Sequence, residues 1–167
     1  MMELEFILAQ EKDLDIIMTL FTDAIDKLNR NGINQWDSTY PDRNTLKEDI
    51  MKKQLYIGLF KETIISAYVI TQEYDEQYDN CSWKFPNSTF SIIHRLCINP
   101  MFQNKGYGTL TVMHIENQLK RKGVESIRLD VFPLNTSALK MYEKLGYSKV
   151  GIAKWRGLEF YLMEKKL

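Results

Sequence analysis

The stretch Q-N-K-G-Y-G-T, Gln103 to Thr109, stands between a strand-like F-S-I-I-H-R-L-C-I at residues 90–98 and a helix-like T-L-T-V-M-H-I-E-N-Q-L-K-R-K at residues 109–122. A glycine-rich turn feeding a helix offers unpaired backbone amides at the positive end of the helix dipole, so it reads as an anion site. Gly106 and Gly108 remove the side chains that would keep a phosphate off the backbone. The same turn decides the topology, because a strand, a crossover helix and a second strand at Ser126–Phe132 form a βαβ unit whose strands lie parallel. The Gly-Lys-Ser/Thr ending of a nucleotide-hydrolysing P-loop is missing, and no G-x-G-x-x-G supports a dinucleotide site.

Upstream of the turn, residues 3–9, E-L-E-F-I-L-A, predict a first strand. Leu14, Ile17, Phe21, Ile25 and Leu28 recur at steps of three and four, which predicts an amphipathic helix ending near Asn31-Gly32. A shorter helix over Thr45–Lys53 follows the Tyr40-Pro41 break. L-Y-I-G-L-F and I-I-S-A-Y-V-I, residues 55–60 and 64–70, predict a hairpin that turns through K-E-T. Residues 73–88, E-Y-D-E-Q-Y-D-N-C-S-W-K-F-P-N-S, read as a polar, acidic connection studded with aromatics, either a long loop or an extended hairpin. Downstream, Gly108, Val112, Ile115 and Leu119 share one helical face, and Gly123 can end that helix. A helix over Asn135–Leu145 and a closing strand pair, Tyr147–Ala153 and Glu159–Glu164, complete a mixed α/β (α+β) order around one sheet.

With 167 residues and 44% hydrophobic content, the chain suits a single domain over residues 1–167. Acidic and basic side chains balance at 22 each, which gives no global field for nucleic acid or an anionic membrane. The cysteines, Cys81 and Cys97, form no Cys-x-x-Cys pair, and two histidines are too few for the usual zinc spacings, so neither a disulfide framework nor a metal is expected. The opening M-M-E-L-E-F lacks a basic leader and no run approaches ~18 apolar residues. The expectation is a cytoplasmic protein with reduced thiols.

A second segment sharpens the reading of the turn. N-T-S-A-L-K-M-Y-E-K-L-G-Y places Asn135, Ala138 and Tyr142 on one helical face, with Asn135 as N-cap and Gly146 as stop. Gln103-x-x-Gly106-x-Gly108 followed by Asn135-x-x-Ala138-x-x-x-Tyr142-x-x-x-Gly146-Tyr147 resembles the GNAT superfamily of acyl-CoA-dependent N-acetyltransferases, most strongly from Arg95 to Gly151. The resemblance implies a mostly antiparallel central sheet with a splayed parallel strand pair and flanking helices. It also implies that Gln103, Asn104, Lys105, Gly106, Tyr107, Gly108 and Thr109 cradle the pyrophosphate of acetyl-CoA, although a solvated loop lysine fits Lys105 equally well. Backbone groups of Leu96, Cys97 and Ile98 would pair with the pantetheine arm beside a strand bulge, with Asn135, Ala138 and Tyr142 completing the cofactor set.

Family membership implies that a neutral amine attacks the thioester directly and that coenzyme A leaves as a thiolate. An alkylamine is mostly protonated at neutral pH, a handicap of ~4 to 5 kcal/mol that a base or desolvation must offset. Tyr142 is expected to protonate the thiolate, in competition with a plain core-packing role. His94 is the candidate base and Glu73 the fallback, although strand alternation also fits His94 on an apolar face. Cys97 reads as an apolar packing residue, and His114 as a solvated one on the flank of its helix. Gln35, Trp36 and Tyr40 are candidates to line the acceptor pocket, while a Trp36 that plugs its loop onto the core fits equally well. The acceptor implied is a small-molecule primary amine. A protein or peptide N-acetyltransferase and a non-catalytic coenzyme A binding or sensing module are the alternatives, and the reading leaves room for a homodimer.

Overall fold

The computed structural model describes residues 3–167. Met1 and Met2, the first letters of the stretch read as lacking a leader, lie outside them. The strands are β1 (Glu5–Leu8), β2 (Leu55–Phe60), β3 (Thr63–Thr71), β4 (Phe90–Ile98), β5 (Ser126–Val131), β6 (Ser148–Trp155) and β7 (Leu158–Lys166). The helices are α1 (Leu14–Arg30), α2 (Arg43–Met51), α3 (Tyr107–Arg121) and α4 (Thr136–Lys144). The sheet order is β1-β2-β3-β4-β5-β7-β6, mixed and mostly antiparallel, with β4 and β5 parallel as the βαβ reading requires. That parallel register runs from Phe90↔Ser126 to Ile93↔Leu129, and two residues further along β4 Arg95 takes a φ of 51°. A non-glycine residue in the left-handed region breaks strand alternation there, which is the bulge anticipated in this strand.

The chain divides into two compact units. The first runs to Ile70 and adds Arg95–Thr111; the second holds Thr71–His94 and Val112–Leu167. In the first, α1 buries Leu14, Ile17, Leu20, Phe21 and Ala24 against Leu46 and Ile50 of α2 and Leu55, Ile57, Ala67 and Val69 of β2 and β3, while Ile25 is buried as well and Leu28 of the expected stripe is half-buried. Gly32, at φ 74°, ends α1 while the Ile33 amide returns to the Leu28 carbonyl at 2.9 Å. The β2–β3 hairpin turns through Lys61-Glu62 alone, because Phe60 already faces Thr63 in register. Lys61 takes the positive φ that so tight a turn demands, so the connection is shorter than the K-E-T expected.

In the second unit the polar connection is pinned by its aromatics. A short 3-10 turn, Glu76–Asp79, drives Tyr78 into a core with Ile92, Ala153 and Leu162. Trp83 donates its indole N–H to the Tyr78 carbonyl at 2.9 Å. Buried Glu164 of β7 accepts from the amides of Lys84 and Phe85 at 2.7 and 3.2 Å and pairs with Arg128 at 3.3 Å. The Arg128 guanidinium lies 4.4 Å from the Trp83 ring centroid and 4.0 Å from that of Phe90. The closing hairpin outruns its expected strands, reaching Trp155 and starting again at Leu158, because Arg156 and Gly157 both adopt positive φ and make the turn in two residues.

Candidate active site

In the first unit the quoted turn lies between the end of β4 and α3. The helix begins at Tyr107, two residues earlier than expected, so Gly108 belongs to its first turn. The Tyr107 ring explains the early start, since it is buried with Leu4 and Ile65 and meets Phe102 edge-on at 6.0 Å. Gly106, at φ 86°, occupies the left-handed region that favours glycine, and its carbonyl takes the helical bond from the Leu110 amide at 3.0 Å. Amides ahead of Leu110 in that turn have no acceptor within the helix, so the donor set suits phosphate oxygens. Asn104 is left-handed too, at φ 59°, and Gln103 ties the turn to β4 by donating to the Ile98 carbonyl at 3.0 Å. Lys105 folds back, donating to the Met101 carbonyl at 2.9 Å. Thr109 and Leu96 are half-buried, whereas Cys97 is buried in the core, where burial raises its thiol pKa.

The bulge of β4 is held by side chains. Arg95 donates from Nε and Nη2 to the two oxygens of Asp49 at 2.9 and 2.6 Å and from Nη1 to the Tyr40 hydroxyl at 2.9 Å. Burial opposes the guanidinium charge, but Tyr40 and Asp49 outweigh it and its pKa stands above the ordinary value. Tyr40 closes a loop in which Asp37 and Tyr40 bridge each other. Trp36 of that loop packs half-buried on the core, 5.6 Å from the Phe21 ring. Gln35 beside it is half-buried.

The second unit holds His94, Asp130 and Tyr142. Asn135 caps α4 by accepting from the Ala138 amide at 3.3 Å, and Gly146, at φ 95°, ends it while the Tyr147 amide returns to the Tyr142 carbonyl at 3.0 Å. Tyr142 is 6% exposed and packs edge-on to Tyr147 at 5.5 Å. Burial first, then the negative charge of Asp130, pushes its pKa above the ordinary phenol value. His94 Nδ1 lies 3.8 Å from Asp130 Oδ2, and the same oxygen accepts a 2.7 Å bond from the Tyr78 hydroxyl. Tyr78 also faces the His94 ring at 6.1 Å.

Thus His94, Tyr142 and Asn135 share one unit, and the turn, Leu96, Cys97, Ile98, Gln35, Trp36 and Tyr40 share the other. Glu73 is exposed just beyond β3, its amide donating to the Thr71 hydroxyl at 2.9 Å. His114 is half-buried rather than solvated, and burial, then Arg121, lowers its pKa. Asp130 and Tyr78 are the members that sequence reasoning passed over. A signal for Asp130 was present: Ile127, Leu129 and Val131 alternate along β5 with Ser126, Arg128 and Asp130, so charge stands on the second face of a strand just before the Asn135 cap. Among the described residues, no group of three or more His, Cys, Asp or Glu side chains is placed to hold a metal ion, and no helix is long and apolar enough to cross a membrane.

The sequence model of the Acetyltransferase (GNAT) family matches residues 21–147. One curated relative, the ribosomal protein bS18-alanine N-acetyltransferase of Haemophilus ducreyi, is 32% identical over 62 residues, which make up 37% of this chain and 43% of that protein. The match therefore spans less than half the length of that relative. Among solved structures, a GNAT-family acetyltransferase from Streptococcus agalactiae superposes with a TM-score of 0.86 at 22% identity, covering 98% of this chain and 95% of its own. An acetyltransferase from Staphylococcus aureus does so with a TM-score of 0.76 at 28% identity, covering 96% and 97%. Both share the fold described above.

Proposed function

The chain belongs to the Acetyltransferase (GNAT) family, and from that premise we propose that residues 1–167 act as a single N-acetyltransferase domain that moves an acetyl group from acetyl-CoA to a primary amine. Bound acetyl-CoA supplies an activated acetyl thioester. The Gly106 turn binds its phosphates through backbone amides, and the backbone of Leu96–Ile98 aligns its pantetheine arm. His94 takes a proton from the incoming amine, with Asp130 holding the imidazole and stabilising its charged form. Glu73 is the reserve base. Tyr142 gives its proton to the departing sulfur as the N–C bond forms and the C–S bond breaks. Gln35, Trp36 and Tyr40 form the wall on the acceptor side. A reducing, cytoplasmic setting belongs to the same reading.

The observation that carries the reading is the placement of Tyr142, a buried phenol on the Asn135-capped helix, since a phenol keeps its proton at neutral pH. We take the acceptor to be a small-molecule amine. A peptide α-amine is the second reading, favoured by the name of the Haemophilus ducreyi relative, which specifies an alanine of a ribosomal protein. The test is release of coenzyme A thiol from acetyl-CoA across polyamines, amino acids, aminoglycosides, arylalkylamines and short peptides, including ones that begin with alanine. Release with small amines alone supports the first reading, and release with peptides alone supports the second. Binding of acetyl-CoA without release from any acceptor would favour a coenzyme A binding module.

A further inference from the structure

We propose that Arg95 is a positioning residue that latches the Asp37–Tyr40 loop and α2 to the bulge of β4, so that acetyl-CoA binding on β4 tightens the loop on the acceptor side. The inference rests on the acetyltransferase reading above, because it takes Leu96–Ile98 to be the strand segment that meets the pantetheine arm.

Two features separate this latch from an ordinary buried ion pair. The first is where the guanidinium goes. Its two bonds to Asp49 fix β4 to α2, and its third, to the Tyr40 hydroxyl, fixes β4 to the loop that carries Trp36. A planar fork bonded on both sides resists rotation in a way that a lysine ammonium would not. Asp49 is itself buried, so the pair has little freedom to find other partners. The second feature is backbone conformation. Arg95 has φ 51°, immediately before Leu96, and the parallel register ends two residues earlier at Ile93. An ion pair can be made from extended backbone, and nothing in pairing Arg95 with Asp49 requires the left-handed region. The conformation acts instead on the next three residues, turning the peptide groups of Leu96–Ile98 out of regular alternation. Ligand pressure on those groups reaches Tyr40 through one rigid side chain.

The experiment measures hydrogen exchange in residues 31–41 with and without acetyl-CoA, in the parent and in Arg95→Gly, Arg95→Lys and Tyr40→Phe, alongside acetyl-CoA affinity by calorimetry. Glycine tolerates the left-handed backbone while deleting the latch. In the parent, acetyl-CoA should slow exchange in this loop. Tyr40→Phe should bind acetyl-CoA with near-parent affinity yet lose at least about fivefold of that protection, and Arg95→Gly should lose it as well. Arg95→Lys should restore little, because an ammonium cannot span both partners in fixed geometry. A residue with a purely structural role would lower the melting temperature and leave ligand-dependent protection intact. Should Tyr40→Phe, which removes one hydroxyl and leaves the ring, keep full protection, the latch is refuted even if the Arg95 variants fail to fold. Parent protein that binds acetyl-CoA without slowing the loop refutes the latch alone; parent protein that does not bind acetyl-CoA overturns both the latch and the acetyltransferase reading.

Discussion

Replacing Tyr142 with Phe removes one oxygen from the point at which the proposed reaction must hand over a proton. The ring is 6% exposed and meets Tyr147 edge-on at 5.5 Å, so the packing surface of α4 is kept. Loss of one hydroxyl should change folding stability by about 1 kcal/mol or less. Catalysis should suffer far more. A positioned general acid contributes roughly 100- to 10,000-fold, or ~3 to 5 kcal/mol of barrier. Burial and the nearby Asp130 charge both oppose ionisation of the phenol, which makes it a hydrogen-bond donor to the developing thiolate more than a strong acid, so the lower end of that range is the one expected. Tyr142→Phe should therefore lower kcat by at least about 100-fold with the acetyl-CoA Kd changed by less than about twofold. The assay pairs thiol release under saturating substrates with calorimetric titration of acetyl-CoA. A kcat within about threefold of the parent, with folding and binding intact, would remove the phenol from the chemistry and leave Tyr142 a packing residue.

Two other outcomes bear on the phosphate turn and on the buried titratable groups. Gly106→Val puts a β-branched residue at φ 86° and a side chain over the amides of the turn; acetyl-CoA binding should become undetectable by calorimetry while circular dichroism reports a folded protein, and unchanged affinity would take the turn out of the site. Stability should fall in alkali. Burial raises the pKa of Tyr68, Tyr142, Tyr147 and the Cys97 thiol above their unfolded values, so their contribution is intact below about pH 8.5 for the thiol and about 10 for the phenols, then declines as pH climbs toward the folded values. At about pH 11 each phenol that stays neutral only in the folded state costs ~1.4 kcal/mol, so melting temperatures flat from pH 8 to 11 would contradict the assigned burial.

Sequence patterns disclosed the features that few residue types can satisfy. The glycine turn, the Asn135 cap and the Gly146 stop were legible because left-handed backbone and unpaired helical amides narrow the choice to glycine and small polar residues. The α1 stripe was legible because burial at steps of three and four allows little else. Helix and hairpin edges were less so. Tyr107 joined α3 through contacts with Leu4 and Ile65, which local propensity around residue 107 does not encode. The strand ends at Trp155 and Leu158 depended on Arg156 accepting a conformation usually left to glycine or asparagine.

The polar centres were hidden for a related reason. His94, Asp130 and Tyr78 each have an ordinary local explanation as strand or loop residues, and only the fold brings one carboxylate oxygen to both a phenol and an imidazole. Arg95 was more deeply concealed. Left-handed backbone costs a non-glycine residue ~1 to 2 kcal/mol, and the groups that hold Arg95 there, Asp49 and Tyr40, lie 46 and 55 positions earlier in the chain. A strained residue in a strand draws its compensation from outside the strand. Its presence therefore marks where separate segments have been made to depend on one another, and in this chain the dependence runs between the loop that carries Trp36 and the strand proposed to meet acetyl-CoA.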